Sequence, residues 1–493
     1  MSKNGLCALL SATLLSFSAY SQSFQNIVNS LGVYHPTPEV YNGSGLSCAD
    51  FNNDGWDDLT VCTYNAPVKF FLNVNGESFQ DTLLINYQAD TKAALWVDLD
   101  NDNDLDFVLS AFLGYTKVYR NDGNLNLVDV SETCGIPQSL NAMSYGLSAS
   151  DINRDGWLDL YVCNYNWPSG QTNWLLINNG DFTFTNESPT SPANDGNRRS
   201  FQAAFIDLEH DLWPDLYVIN DKNTRNSMYS NQEGVFSDIS VATETDLYME
   251  SMSNSWCDFD HDGDLDVYIT NGPIGNAFLR NDNGVFVDIA PELDMMVESL
   301  CWGAIWFDFN GDSWEDLYVC DIFPYLTDHN ICFINNGDGT FTEMTAQGMQ
   351  GDNFSSYACA YMDVDNNMAP DLVVINTFDQ NVCVWRNSNT NYNALGLELL
   401  NQQEISGGIG SWVHVYGNNT VQNRYITCGD NYLSQNSHKQ FFGLGSELSA
   451  DSVIVEWPSG WVDKFYDLPK DSLITLHEGQ TAQVNLLTVN TVI

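Results

Sequence analysis

Seven copies of one acidic pattern govern what this 493-residue chain can fold into. They read DFNNDGWDDL from Asp50, DLDNDNDLDF from Asp98, DINRDGWLDL from Asp151, DLEHDLWPDL from Asp207, DFDHDGDLDV from Asp258, DFNGDSWEDL from Asp308 and DVDNNMAPDL from Asp363. Their starts lie 48 to 56 residues apart, and self-similarity at such a period marks a repeat architecture. Apolar or alternating runs precede the loops, as at Ala93 to Val97 and Ala203 to Ile206, and others follow, as at Leu160 to Val162 and Val267 to Ile269. Each loop therefore joins two strands rather than two helices. A second element follows, an apolar pair, an Asn, a polar turn and often a Phe: Phe278-Leu279-Arg280-Asn281 with Phe286, and Phe333-Ile334-Asn335 with Asn336-Gly337 and Phe341. Asn-Gly is a turn signal and places a third and a fourth strand there. Four strands in each of seven repeats predict an all-β fold, a seven-bladed β-propeller over residues 22–392. Radial repetition leaves such a fold only short, protected sheet edges.

The seventh repeat runs through Trp385-Arg386-Asn387 but has no Phe element after it. The missing piece stands near the N-terminus, where Phe24-Gln25-Asn26-Ile27-Val28 with Leu31-Gly32-Val33 parallels Phe341 to Thr345 with Gln347-Gly348-Met349. Residues 24–28 are thus expected to complete the last blade and close the ring.

Positions 1, 3, 5 and 9 of the loops carry Asp, Asn or Glu. The sets are Asp50, Asn52, Asp54 and Asp58; Asp98, Asp100, Asp102 and Asp106; Asp151, Asn153, Asp155 and Asp159; Asp207, Glu209, Asp211 and Asp215; Asp258, Asp260, Asp262 and Asp266; Asp308, Asn310, Asp312 and Asp316; Asp363, Asp365, Asn367 and Asp371. Alternate residues of a tight loop aim their oxygens at one centre, which is what a hard cation such as Ca2+ requires, and position 7 can add a carbonyl. Gly55, Gly156 and Gly263 at position 6 suit the positive φ of such a wrap. An EF-hand would need Glu at position 12 and helical flanks. Asx turns alone would explain one loop, not seven with the same ligand positions. Five loops are expected to hold calcium; for those from Asp207 (Glu209, Leu212, Pro214) and Asp363 (Asn367, Met368) a filled and an empty site stay equally open. The ligand positions hold 24 of the 65 acidic residues, so folding is expected to depend on the cation. Trp56, Trp157, Trp213 and Trp314 at position 7 are expected to pack between blades, and His210 and His261 to point to solvent.

With 65 acidic against 16 basic residues, the net charge is −49. Nucleic acid is excluded as a partner, because affinity for it comes from Lys and Arg on phosphates; an anionic membrane surface fails on the same sign. Fourteen Trp, 23 Tyr and 26 Phe supply core material that disordered chains lack. Lys3, the apolar Leu6 to Leu15 and Ala19-Tyr20-Ser21 read as a cleaved signal peptide over residues 1–21, hence a secreted, extracellular or periplasmic protein. No later run is long enough for a membrane span. Cys62, Cys163 and Cys320 lie within apolar strands and read as buried thiols, with disulfides the alternative.

After about residue 393 the repeat stops. Gly407-Gly408-Ile409-Gly410 leads into the alternating strand Trp412 to Tyr416, not into a helix, so it is no dinucleotide fingerprint. A small β domain is expected over residues 393–480, with a tail over 481–493. GGIGSWVHV, QNRYIT, NYLSQNS, FFGLG and VIVEWPSG (Gly407 to Gly460) are similar to an ASPIC/UnbV domain. The acidic loops resemble FG-GAP/VCBS repeats of integrin-α-like propellers, and the whole resembles the secreted cartilage-acidic-protein-like family. A literal Phe-Gly-Gly-Ala-Pro is missing; Tyr145-Gly146-Leu147 and Trp302-Gly303-Ala304 come nearest. The resemblance implies calcium binding, an extracellular location and recognition, as in cell adhesion, rather than catalysis.

No nucleophile elbow, zinc helix or P-loop stands out. Strand order puts acidic loops and Asn-Gly turns on one face, and the loops between strands 2 and 3 with the blade-to-blade connections on the other. Tyr165, Trp167, Tyr248, Phe323 and Tyr325 in those longer loops are the ligand-face candidates. The reading is a non-catalytic, calcium-binding propeller that recognises an extracellular glycan or protein. A polysaccharide lyase or hydrolase on the same scaffold, and an adhesive matrix protein, are the alternatives.

Overall fold

The computed structural model describes residues 24–481, except 141, 166–171, 223, 323–328, 345–348, 350–351, 390–391, 403–406, 418–419 and 430. The segment expected to be a signal peptide and nearly all of the expected tail lie outside the described residues. Seven blades of four antiparallel strands follow one another along the chain, and the first and second each gain a fifth strand at the inner edge, Ser434–Gln435 and Tyr64–Pro67. Of the four, the innermost strands are Leu46–Ala49, Gln88–Val97, Ser144–Ser150, Ser200–Ile206, Asn254–Cys257, Cys301–Phe307 and Ser356–Met362. Each contacts the next, and the seventh contacts the first, so the circuit closes as a propeller. Closure uses the N-terminus as expected: Phe24–Asn26 is the outer strand of blade 7, with Phe24 opposite Asn387 and Asn26 opposite Trp385. The strand is shorter than residues 24–28, because a helical turn, Val28–Leu31, follows and ends on Gly32 at φ 75°.

Burial grades outward. Innermost strands such as Ser144–Ser150 are buried throughout, whereas the fourth strand Phe341–Glu343 is half-buried to exposed. The innermost strands come so close that side chains are excluded at points. A Cβ on Gly146 would sit 2.5 Å from the Phe201 carbonyl oxygen, and one on Gly303 would sit 2.9 Å from that of Tyr357. These are the glycines of the two near-FG-GAP tripeptides, and inter-blade approach is what they permit.

Beyond the ring, Ala394–Leu400 pairs antiparallel with Gln440–Gly443 and parallel with Ser472–His477. Thr420–Tyr425, Trp412–Gly417, Ser449–Glu456 and Val462–Pro469 form an antiparallel sheet. Leu395, Leu397, Val413, Val415, Phe442, Val453 and Trp457 make their shared core.

A segment of this C-terminal unit enters the propeller's central channel. Ser434–Gln435 adds a parallel strand to Leu46–Ala49 of blade 1. The Gln435 amide accepts from Trp96 N at 2.8 Å and donates to Trp96 O at 2.8 Å in blade 2. Ala149 N of blade 3 donates to Cys428 O, and Gln202 Nε2 of blade 4 to Gly429 O. Asn431 bridges to Asn254 of blade 5. The Tyr432 ring meets Trp302 of blade 6 at 5.0 Å, and Ser437 N donates to Tyr361 O of blade 7. One segment thus touches all seven innermost strands and plugs the axis.

Candidate functional site

The seven acidic loops share one geometry whatever their side chains. Positions 4 and 6 are left-handed in every loop: Asn53, Asn101, Arg154, His210, His261, Gly311 and Asn366 at the first, and Gly55, Asn103, Gly156, Leu212, Gly263, Ser313 and Met368 at the second. Glycine is therefore convenient but not required there, and Leu212 and Met368 accept the strain. This backbone turns amides inward. The position 1 carboxylate accepts the N–H groups of positions 5 and 6, as Asp50 does from Asp54 and Gly55, and Asp363 from Asn367 and Met368. The position 9 Asp opens the second strand of its blade and accepts an N–H from the third: Asp106 from Asn121 at 2.8 Å, Asp316 from Asn335 at 2.8 Å.

Carboxylates then converge. One oxygen from each of Asp98, Asp100 and Asp106 lies within 4.8 Å of the others, and the same holds for Asp258, Asp260 and Asp262, and for Asp363, Asp365 and Asp371. One oxygen each of Asp100, Asp260 and Asp365, all at position 3, is buried without a hydrogen-bond partner. A buried acceptor left so is costly, and a hard cation would satisfy it. Burial is the main cause that raises Asp58 and Asp159 to about 8 and Asp106 to about 9; Asp266, Asp316 and Asp371 are raised well above the usual carboxylate range, likewise chiefly by burial. In the loops with Asn at position 3, Asn52 and Asn153 donate to Asp54 and Asp155, and Asn310 accepts from Asp312 N. Those loops keep the wrap with one negative charge fewer.

The loop from Asp207 differs. Asp207 already accepts from Asp211 N and Leu212 N, and the indole N–H of Trp412 donates to its Oδ2 at 3.0 Å. Burial raises Asp215, and Glu209 crowding it adds to the shift. His210 is exposed as expected, with one ring face stacked on Trp412 at 4.1 Å; His261 does not face solvent but stacks on Trp314 at 4.0 Å, its side chain 6% exposed. Apolar ring surface outcompetes hydration for His261. Of the four position 7 tryptophans, Trp314 reaches the preceding blade through His261, and Trp213 lies under the Arg154 guanidinium at 5.1 Å. Trp157 covers Gly180 in the outer turn of its own blade, while Trp56 covers Gly76 beside Asp365 of blade 7.

The asparagines of the third strands, a turn signal in the sequence, do more in five of the seven blades, Asn73 bonding Val364 O in the same way as the next four. Asn178 Nδ2 reaches back to Leu99 O, Asn231 to Ile152 O, Asn335 to Phe259 O and Asn387 to Phe309 O. Each ties the third strand of one blade to the acidic loop of the preceding blade. Their fixed place in every repeat was the signal available.

On the opposite face the candidates separate. Tyr165 is a correction: it is buried, stacked on Phe201 at 4.8 Å, and its hydroxyl donates to Asp221. It directly follows the second strand, so its ring turns into the channel rather than onto the loop surface. Tyr248 is 62% exposed, with the Arg225 guanidinium 5.9 Å from its ring. Trp167, Phe323 and Tyr325 lie outside the described residues. Ten buried cysteines, among them Cys62, Cys163 and Cys320, are free thiols, and Cys428 is buried as well. Among the described residues no helix is long and apolar enough to cross a membrane.

A ring of four-stranded blades, with one acidic cage between the first two strands of each, defines a repeat propeller of the FG-GAP type. The FG-GAP-like repeat family matches residues 50–109, 98–162, 151–218, 207–269, 258–319 and 308–374, and the ASPIC and UnbV family matches 402–483. The chain belongs to the FG-GAP-like repeat family and carries an ASPIC and UnbV segment after its repeats. Each match runs from one acidic loop through the next, so six of them take in seven loops. Among curated proteins it is 31% identical to cartilage acidic protein 1 of Xenopus tropicalis over 159 residues, 28% of this chain and 23% of that protein. It is 29% identical to integrin alpha-3 of Cricetulus griseus over 150 residues, 25% of this chain and 14% of that protein. The matched stretches thus span under a quarter of either relative. Solved structures that align include BBS1N in complex with ARL6DN, soaked with lead (TM-score 0.47, 10% identity, 73% of this chain and 96% of that one). YCF48 from Cyanidioschyzon merolae aligns with TM-score 0.44 at 8% identity, over 72% of this chain and 99% of that one.

Proposed function

We propose that the chain is an exported, calcium-stabilised propeller that recognises an extracellular glycan or surface protein without transforming it. The observation that carries the calcium part is the unpartnered buried oxygen on Asp100, Asp260 and Asp365, each beside two further carboxylates. The loop from Asp363, left open on its sequence, fits a cation as well as those from Asp98 and Asp258. Loops from Asp50, Asp151 and Asp308 offer the same wrap with a neutral third ligand. The loop from Asp207 fits less well: Leu212 and Pro214 stand in it, and among the described residues its carboxylates do not converge as those from Asp98, Asp258 and Asp363 do. When bound, calcium would supply charge compensation to carboxylates that burial otherwise keeps protonated. It would act as structural cement.

Recognition belongs on the other face, which the acidic loops and the C-terminal unit leave free. Tyr34, Tyr41, Tyr64 and Tyr248 are exposed there. The test is metal analysis of the purified protein with melting in calcium and in chelator. Several calcium ions per chain, and a melting temperature at least ten degrees lower in excess chelator, are expected on the scale of ligand-linked stability. A metal-free protein with the same melt in both would overturn the calcium reading.

A further inference from the structure

Where blades 1 and 2 meet, on the face away from the acidic loops, a groove of about 480 Å³ opens. That volume lies within the ~300–1,000 Å³ usual for ligand sites. Its floor and walls are aromatic: Tyr41, Tyr64, Tyr87, Phe112 and Tyr115. Tyr41 is 53% and Tyr64 48% exposed, so both rings are open to a ligand in the groove. The groove is built rather than loose. The Tyr87 hydroxyl donates to Tyr115 O at 2.9 Å and accepts from Tyr115 N at 2.8 Å. The Tyr41 ring sits 5.4 Å from that of Phe112, and its carbonyl accepts from the buried Lys92 ammonium at 2.7 Å. Leu113 stands 59% exposed at φ 54°, a backbone region a leucine rarely adopts, held at the groove's rim.

The polar groups that line it are Glu39, Asn65, Gln88 and Asp90. Asp90 is paired with Lys92 at 2.9 Å, and no Lys or Arg lines the groove. Anionic ligands are therefore repelled, both locally and by the net charge of −49. Flat tyrosine faces with acceptor and amide groups around them match one chemistry: a ring with an apolar C–H face and hydroxyls at its edge. We propose that this groove binds uncharged pyranose units of a neutral polysaccharide, stacked on Tyr41 and Tyr64. The assignment rests on the recognition reading above and gives it a site and a ligand class.

Affinity electrophoresis of the calcium-loaded full chain decides it, with gels containing mixed-linkage β-glucan, galactomannan or arabinoxylan, and alginate as the anionic comparison. The expected result is retardation by at least one neutral polymer and none by alginate. Tyr41→Ala with Tyr64→Ala should weaken it at least tenfold, while Tyr466→Ala, an exposed tyrosine of the C-terminal unit, should not. The melting temperature of each variant shows that it is folded. Retardation that survives the double substitution would overturn the groove while leaving glycan recognition standing. Wild-type protein unretarded by all three neutral polymers, or retarded by alginate alone, would overturn the ligand class itself. The calcium reading is untouched by any of these, since it is read from the melt.

Discussion

Truncating Gln435 to alanine tests whether the channel plug holds the ring together. The side chain is buried and its amide makes three polar contacts with the two innermost strands beside it. Oε1 accepts from Ser47 Oγ at 2.6 Å and from Trp96 N at 2.8 Å, and Nε2 donates to Trp96 O at 2.8 Å. Alanine leaves a hydroxyl, an N–H and a carbonyl without partners in an interior where each costs ~1–3 kcal/mol. A cavity of about 70 Å³ already touches Gln435, large enough to admit a water that satisfies part of this. The expected loss is about 2–5 kcal/mol, a size found where a buried hydrogen-bond network is broken. Tyr432→Phe is the comparison. It removes one donor to Asn42 O, at 2.6 Å, so about 1 kcal/mol is expected. Urea unfolding with calcium saturating gives both numbers, and hydrogen exchange at the Trp96 amide reports the site directly. A Gln435→Ala midpoint equal to wild type, with Trp96 still protected, would refute the plug as a structural member.

Other expectations follow from the same contacts. Burial raises Asp58 and Asp159 to about 8 and Asp106 to about 9 in the folded chain, against ~3.9 unfolded. With folded values above unfolded ones, the stabilisation is complete below pH ~4 and is lost as pH climbs through 8 to 9. Chelated protein should therefore melt higher at pH 6 than at pH 9, and equal melts would contradict the cages as drawn. Calcium added to chelated protein at pH 7 should release protons, measurable in a weakly buffered solution with a pH indicator. Asn335→Ala leaves the Phe259 carbonyl, 2.9 Å away, without its blade-to-blade donor. An unfolding free energy lowered by ~1–3 kcal/mol in urea is expected, and no change would remove the staple role. Gly146→Ala drives a methyl to 2.5 Å from the Phe201 carbonyl. Overpacking of ~1–3 kcal/mol or more should appear as a lower melting temperature.

The fold was legible because its signals are local and repeated. An alternating acid pattern, a strand on either side and an Asn-Gly turn each need only a ten-residue window. Seven copies then fix the ring, and even the swapped strand at Phe24 could be found by noticing what repeat seven lacks. The cages were legible for the same reason. What failed was anything set by residues distant in sequence. Tyr165 looked like a loop aromatic, yet Phe201 of the next blade covers it. His261 sits in a polar loop, but Trp314 in the next blade's loop provides a better surface than water. The plug reads as NYLSQNS, polar and aperiodic, and its bond from Ser47 to Gln435 spans 388 residues. No pattern within a window encodes that.

These distant contacts also decide which face is free to work. Trp412 donates to Asp207, Asn423 to Asp258 at 2.6 Å, Arg424 to Glu315 and Lys439 to Gly55 O. The C-terminal unit is therefore seated on the acidic loops themselves, and its plug fills the channel beneath. A ligand cannot thread the axis or spread over that face without displacing part of the chain. Asn423 and a cation would hold the same Asp258 carboxylate, so whatever fixes this loop also fixes the C-terminal unit, and linkage makes the effect reciprocal. Removing the Asn423 amide should then weaken calcium binding at that loop, and removing calcium should loosen the C-terminal unit before the ring opens. Limited proteolysis in chelator reads the second effect. Cuts that appear first between residues 401 and 440 agree with it, whereas first cuts within the blades would mean that the seat is independent of the cages.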